Sequence, residues 1–428
     1  MKKTIKLAVV AALALGTTSA FATNGDHMIG FSAKSRALGG TGIANFNGAD
    51  AALTNPSLLA KSKTTNSFSF AGTMFSSSVK VKSTDGAPAS SGNGVSRTSD
   101  EGMSMIPAIA LSHRLSDTLV LGLGMYGTAG MGTDWRDGDA PAAGNIGLYN
   151  MRSSLMLMQF APSIAYGNET FGVGLTAIVQ YGALSIDYDT HDGKGNPAHV
   201  GNGMSNDFGY GFQLGGYYNP IKSLTIGASY KSPIDMEYKD QVSSAAGAFG
   251  YGTNPNGGMA GYSDHLEQPA EFGLGLAYTM DKMTYTIDAK QVQWKDAKGY
   301  EDFGWDNQNV YALGIKYQTD LFWVGAGFNY GENPVPNNKS TKLVDGNPKH
   351  NTHGDTMNLF NYAMFPATVE SHYTVGGGYS VAEDMTIDLA FTYAPEVSDT
   401  VSAKTVAVGD ITTKHSQNAL TLAISFDF

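Results

Sequence analysis

The sequence predicts an all-β membrane protein: a transmembrane 14-stranded antiparallel β-barrel with a small, partly helical N-terminal hatch inside its lumen. Three observations predict it. The chain opens on an export signal and has no later apolar run long enough for a helical span. Segments with period-two alternation recur, joined alternately by short and long connections. The last of these segments ends on an aromatic residue.

Residues 1–22 read as a secretory signal. Lys2, Lys3 and Lys6 form its positive start, Leu7 to Leu15 its uncharged apolar core, and Ala20-Phe21-Ala22 a small-x-small cleavage site. That core is too short to cross a bilayer. Its removal takes three lysines and moves the formal net charge from −11 to −14. An acidic balance of this kind argues against nucleic acid as a partner. There is no cysteine, so an exported chain of this size does not rely on disulfides. Glycine (53 of 428 residues), Tyr and Phe are abundant while charge is low at 15%. Together these suggest strands with one face against an apolar environment.

The C-terminal "LTLAISFDF" names that environment. Leu420, Leu422, Ile424, Phe426 and Phe428 share one face, and Thr421, Ala423, Ser425 and Asp427 the other. An apolar outer face ending on an aromatic is the pattern of the closing strand of an outer-membrane barrel.

From residue 64 the same unit repeats over 64–76, 104–114, 118–128, 152–166, 171–188, 207–218, 223–238, 268–280, 283–297, 308–318, 321–332, 368–381, 384–397 and 415–428. Met385, Ile387, Leu389, Phe391 and Tyr393, for example, oppose Thr386, Asp388, Ala390 and Thr392. Short turns such as Asp281-Lys282 alternate with long loops over 77–103, 129–151, 189–206, 239–267, 298–307, 333–367 and 398–414. An even strand number with long outer loops is the bacterial barrel plan, and closure removes unpaired edges. Aromatics near strand ends, Tyr217, Tyr218, Tyr278, Tyr317, Tyr330, Tyr379, Tyr393, Phe426 and Phe428, suit interfacial girdles. Lys231, Asp288, Lys290 and Asp388 must face inward, because a lysine facing lipid near the midplane costs about 2–4 kcal/mol.

Fourteen strands enclose more space than their own side chains fill. Residues 23–62 have the size and composition to occupy it. Gly39, Gly40 and Gly42 permit close backbone approach, and short helical turns flank the break at Asn55-Pro56-Ser57. A flexible tail would be richer in charge, Pro and Ser. The expected division is therefore signal 1–22, hatch 23–62 and barrel 63–428.

"SRALGGTGIAN" followed by "GADAALTNPSLL" resembles the hatch of FadL-type (TodX-like) outer-membrane transporters of long-chain fatty acids and other hydrophobic compounds. Echoes recur in "LGLGMYGTAGMGTDW", "YKSPIDMEY", "EQPAEFGLGLAY" and "QVQWKDAKGYEDF". The family's hatch carries Asn-Pro-Ala where this chain has Asn55-Pro56-Ser57. The resemblance implies a passive route in the outer membrane of a Gram-negative cell: capture by outer loops, binding above the hatch, and lateral exit through a gap made by a kink in the third strand.

The chain has candidates for each stage. Phe249, Tyr251, Met259 and Tyr262 in a glycine-rich loop could capture solute, or could pack on one another. Gly122, Gly124, Gly127 and Gly130 could mark the kink, or reflect glycine abundance. Lys34, Arg36, Lys231 and Lys290 could receive a carboxylate inside the lumen, or form ion pairs with Asp288 or Asp388. Fatty acids and small aromatic hydrocarbons both fit an apolar route. The expected partners are hydrophobic small molecules, outer-membrane lipid and lipopolysaccharide, with the chain a monomer. No cofactor is expected. No Gly-x-Ser-x-Gly elbow or comparable nucleophile motif points to an enzyme. His350 and His353 without a helix, and Asp134, Asp137 and Asp139 without the spacing of a calcium loop, point to no metal. An adhesive or structural barrel remains as another reading, in which a forty-residue plug has no explanation.

Overall fold

Each strand pairs antiparallel with its neighbours around a ring of fourteen: β1 Asn66–Ser83, β2 Met103–Arg114, β3 Leu119–Asp134, β4 in two pieces (Arg152–Phe160 and Ser163–Gly167), β5 Phe171–His191, β6 Ser205–Ile221, β7 Leu224–Lys231, β8 Glu271–Met280, β9 Met283–Val292, β10 Gln308–Gln318, β11 Phe322–Gly331, β12 Ser371–Ala382, β13 Met385–Ser402 and β14 Asp410–Asp427. β14 pairs back onto β1 from Ile411↔Ser83 to Asp427↔Ser67, closing the barrel. This computed structural model describes residues 23–83, 96–136, 150–191, 197–248, 262–335, 337, 354–403 and 410–428. The chain end is tied to the barrel start: Asn66 N donates to Phe428 O at 2.6 Å and Phe428 N to Asn66 O at 2.9 Å.

The alternation has the expected sense. Leu389, Phe391, Tyr393, Leu420 and Leu422 are exposed on the outside, while Ala390, Thr392, Thr421 and Ala423 are buried inside. Large apolar side chains cover the outer wall, with Leu274 at 65% exposure, as a lipid-facing surface requires. Asp288, Asp388 and Lys231 are buried on the inner side.

Several boundaries differ from the sequence expectation. The segment 152–166 is not one strand: Pro162 removes a donor and splits β4, although Ala161 and Gly124 still exchange bonds at 2.9 and 3.3 Å. β7 stops at Lys231 before Ser232-Pro233, β8 begins at Glu271, and β9 stops at Val292 before a short 3-10 turn, Trp294–Asp296. β1, β3 and β14 are longer than expected. The span 333–367 includes a helix, Gly354–Met364, in addition to loop. Tyr217 does not belong to the outer girdle. It is buried, donates to Asn168 O at 2.6 Å, and carries Lys61 Nζ over its ring at 4.7 Å.

Candidate functional site

Residues 23–62 lie against the inner faces of the strands. A short helix α1, Ala33–Ala37, is capped by Ser32, whose side chain accepts from Ser35 N. It leads into Gly39 and Gly40, both at positive φ (70° and 85°), where a Cβ at Gly40 would overlap the Ile29 carbonyl. The chain can turn there only without a side chain. Thr374 Oγ1 donates to Ala37 O (2.9 Å) and accepts from Gly39 N (3.0 Å), and Asn329 donates to Gly39 O (3.0 Å). Asp288 accepts from Gly42 N (2.7 Å) and Ile43 N (3.0 Å).

Two 3-10 turns follow, Ala49–Leu53 and Pro56–Lys61, separated by fully buried Asn55. Asn55 Oδ1 accepts from Ser57 N (3.1 Å) and Ser57 Oγ (2.6 Å), while its Nδ2 donates to Ile43 O (2.7 Å) and to Gly216 O of β6 (3.0 Å). The serine that departs from the family motif thus adds an internal hydrogen bond. The wall is bare where this segment docks: a Cβ at Gly174, Gly215, Gly227 or Gly327 would run into Ser57, Asn55, Ile43 or Gly39. Part of the glycine excess therefore serves segment-to-wall packing, a signal that composition alone does not assign.

A polar cavity of about 50 Å³ lies beside this segment, lined among others by His27, Lys231, Gln268, Glu271, Asp288 and Lys290. Glu271 draws together three cationic or basic groups: Lys231 at 3.5 Å, Lys290 at 3.6 Å and His27 Nδ1 at 3.4 Å. His27 Nε2 meets Gln268 Oε1 at 2.7 Å. Burial lowers the His27 pKa, with the Glu271 charge opposing. Asp26 accepts from Tyr300 Oη at 2.5 Å and from Gln268 Nε2 at 3.2 Å.

On the other side of Asp26 and His27 stands an aromatic chamber. Trp294 contacts His27 (ring centroids 4.9 Å), Tyr300 (4.6 Å) and Trp305 (5.1 Å); Phe303 stacks on Phe360 at 4.7 Å and on Tyr262 at 5.4 Å. Helix α2, Val242–Ala248, and helix α3, Gly354–Met364, cover it, with Tyr188 Oη donating to Ala245 O at 2.5 Å. The cavity left inside, against Met131, Leu184, Tyr300 and Phe365, is only about 10 Å³. Solute entry there requires the covering elements to shift.

The wall opens beside this chamber. β2 and β3 pair from Arg114↔Val120 to Ala108↔Tyr126 and no further. β1 continues along β2 to Ser76↔Met103, and β3 continues along β4 to Asp134↔Arg152 after an irregularity between Gly127 and Ala129. Met103–Pro107 and Gly127–Asp134 therefore share no ladder. Residues 124–133 are buried without alternation, whereas Leu121 and Leu123 below them are exposed. The upper half of β3 has bent inward, where Ala129 bridges to His27 and Gly130 N donates to Asp26 O at 3.2 Å. Pro107, without an N–H, stands next to the point of separation.

The glycines of β3 divide between two environments. A Cβ at Gly127 would lie 2.6 Å from Ile106 Cγ2, across the opening. Gly130 lines the inward bend. Gly122 faces Leu59 of the inner segment instead (2.7 Å), and Gly124 lies under the Tyr126 ring. Lys34 pairs with Asp388 at 3.7 Å, so three of the four candidate cations, Lys34, Lys231 and Lys290, are committed to carboxylates. Arg36 is buried away from them, with Nη2 against Met28 Sδ at 3.8 Å. Tyr262 is 5% exposed and part of the chamber rather than a free loop surface. Phe249, Tyr251, Met259, His350, His353, Asp137 and Asp139 lie outside the described residues. Asp134 pairs with Arg136 (2.6 Å) and Arg152 (3.6 Å). Trp294, Tyr300, Phe303, Trp305, Phe360 and Phe365 were not singled out by sequence reasoning. The dense aromatics of 294–305 were the available signal.

The outer membrane protein transport protein family (OMPP1/FadL/TodX) matches residues 8–428. Among solved structures, the chain is similar to the toluene transporter TodX of P. putida (17% identity, TM-score 0.66, 93% of this chain and 99% of that one). It is also similar to a FadL homologue of Pseudomonas aeruginosa (16%, 0.67, 94% and 100%) and to the toluene transporter TbuX of Ralstonia pickettii (15%, 0.63, 93% and 98%). At these identities the likeness establishes the fold. A curated Chlorobium limicola protein, named as an uncharacterized protein in the phosphoenolpyruvate carboxykinase gene 5' region, is 46% identical over 59 residues, 14% of this chain and 29% of that one, so the match spans less than a third of that relative. With the closed barrel and its family-wide match, the chain is an outer-membrane β-barrel and belongs to the outer membrane protein transport family.

Proposed function

We propose that the protein is a passive transporter that takes up long-chain fatty acids or similar hydrophobic compounds. In this reading residues 1–22 are a signal, 23–62 a hatch that closes the lumen, and 63–428 the barrel. One observation carries it: an inner segment bonded to the inner faces of the strands, next to a break in the β2–β3 ladder bordered by apolar side chains. Such a geometry has no use for a water-soluble solute, which needs an aqueous pore. It suits a solute for which each CH₂ left in water costs about 0.8 kcal/mol. Solute enters the aromatic chamber as its covering helices shift, displaces the Asp26–His27 segment, and leaves into the membrane between Ile106 and Gly127. Phe249, Tyr251 and Met259 are proposed to assist capture. A single barrel suffices, surrounded by outer-membrane lipid and lipopolysaccharide. Uptake of labelled laurate and of toluene by cells with and without the gene tests the reading. Equal uptake of both compounds in both strains overturns it.

Small aromatic hydrocarbons are the second reading, favoured by one feature. Lys231 and Lys290 share the polar cavity with two carboxyls, Glu271 within 3.6 Å of both and Asp288, so the cavity offers an acid no excess of cations.

A further inference from the structure

If the signal ends at Ala22, Thr23 becomes the first residue, and its backbone nitrogen changes from an amide to an ammonium. That nitrogen is already inside the barrel. Thr23 is 5% exposed, and its N donates to Gln417 Oε1 of β14 at 3.1 Å. Gln417 Nε2 lies 3.4 Å from Thr23 Oγ1 and 3.2 Å from His415 Nε2, which in turn meets Ser77 Oγ at 3.2 Å. His372 Nε2 approaches Gln417 Oε1 at 3.4 Å, and its Nδ1, on a fully buried ring, has no partner. Thr23, Gln417, His415 and Ser77 line a cavity of about 20 Å³ that reaches Gly130 and Gly132 of the inward-bent β3. That is room for one water or one carboxylate oxygen.

An amide N–H is satisfied by the one bond to Gln417. An ammonium carries three donors and a full charge, and a buried charge without a counter-ion is costly. Among the described residues, those lining this cavity include no Asp or Glu. We propose that signal cleavage creates an anion site here: the Thr23 α-ammonium, held by Gln417, receives the carboxylate of an acidic cargo beside the wall opening. This rests on the transport reading above. It gives an acid a charged partner apart from Lys231 and Lys290, which already share Glu271.

The test uses the purified, processed protein in detergent, with laurate, methyl laurate and toluene as probes. Intact mass and N-terminal sequencing establish where the chain begins. The wild type is expected to begin at Thr23 and to bind laurate about tenfold more tightly than its ester, the size of one charge-assisted hydrogen bond. Gln417→Glu supplies the ammonium with a carboxylate of its own. It should abolish the preference for laurate, leave the ester within about twofold, and keep or raise Tm. One alanine inserted after Ala22, which moves the ammonium by about 3.5 Å, should also remove the preference. A chain beginning elsewhere, or an acid preference unchanged in both variants, or equal loss of acid and ester, overturns the anchor while leaving the transport reading intact. Failure of all three probes to bind the wild type overturns both.

Discussion

Gly127 faces Ile106 across a seam with no backbone hydrogen bonds, and a Cβ on the glycine would sit 2.6 Å from Ile106 Cγ2. The opening is therefore as narrow as a missing side chain. Gly127→Phe should block exit and cut uptake of laurate and toluene at least about tenfold, because the ring would stand in the seam beside Ile106, at a cost in stability of about 1–3 kcal/mol from overpacking. Gly122→Phe should instead displace Leu59 of the inner segment and impair folding. Cell uptake, alongside heat-modifiability on gels to verify folding, separates the two. Unchanged uptake by a folded Gly127→Phe protein excludes this exit.

Asn55 joins the inner segment to itself and to β6 through four hydrogen bonds. Asn55→Ala leaves buried partners unpaired, at roughly 1–3 kcal/mol for each. The wild type should conduct ions poorly in planar bilayers, and Asn55→Ala should show frequent transient openings. A steady open-pore conductance from the wild type would refute the seal.

Asp50 stands on the inner segment with Oδ1 unpartnered. Burial raises its pKa to about 6, against the opposing Lys34 charge. A carboxyl raised in the folded state binds its proton more tightly there than when unfolded. Ionisation therefore destabilises this segment progressively as pH rises from about 4 to about 6, on the order of 3 kcal/mol at pH 7. Asp50→Asn should slow amide exchange over Ala49–Leu53 at pH 7 and change it little at pH 4. Equal effects at both values would remove the carboxyl as the cause.

Lys290 is paired with Glu271 at 3.6 Å. Lys290→Met should lower thermal stability while leaving laurate and methyl laurate affinities within about twofold of wild type, because the lysine is already engaged by Glu271. Loss of laurate affinity alone would assign the cargo carboxylate to this lysine instead.

Much was legible in the sequence because it depends on local periodicity. Leu420 and Leu422 against Thr421 and Ala423 fix which face meets lipid, since a one-residue slip would turn every side chain over. The inward direction of Asp288 and Asp388 follows from the cost of a charge in hydrocarbon. The size and glycine content of residues 23–62 follow from the space that fourteen strands leave.

What the tertiary structure alone decided depends on pairs far apart in the chain. Whether Lys231 and Lys290 are free cations depends on Glu271, and Tyr262 is an inner residue because Phe303, itself stacked on Phe360, stacks with it. The wall opening required the ladder between β2 and β3 to end at Ala108 while both outer neighbours continued. A glycine in β3 looks the same in sequence whether it faces Leu59, Tyr126 or the opening. Alternation encodes the side of the sheet, but which distant group stands opposite is set only when the barrel closes around its inner segment.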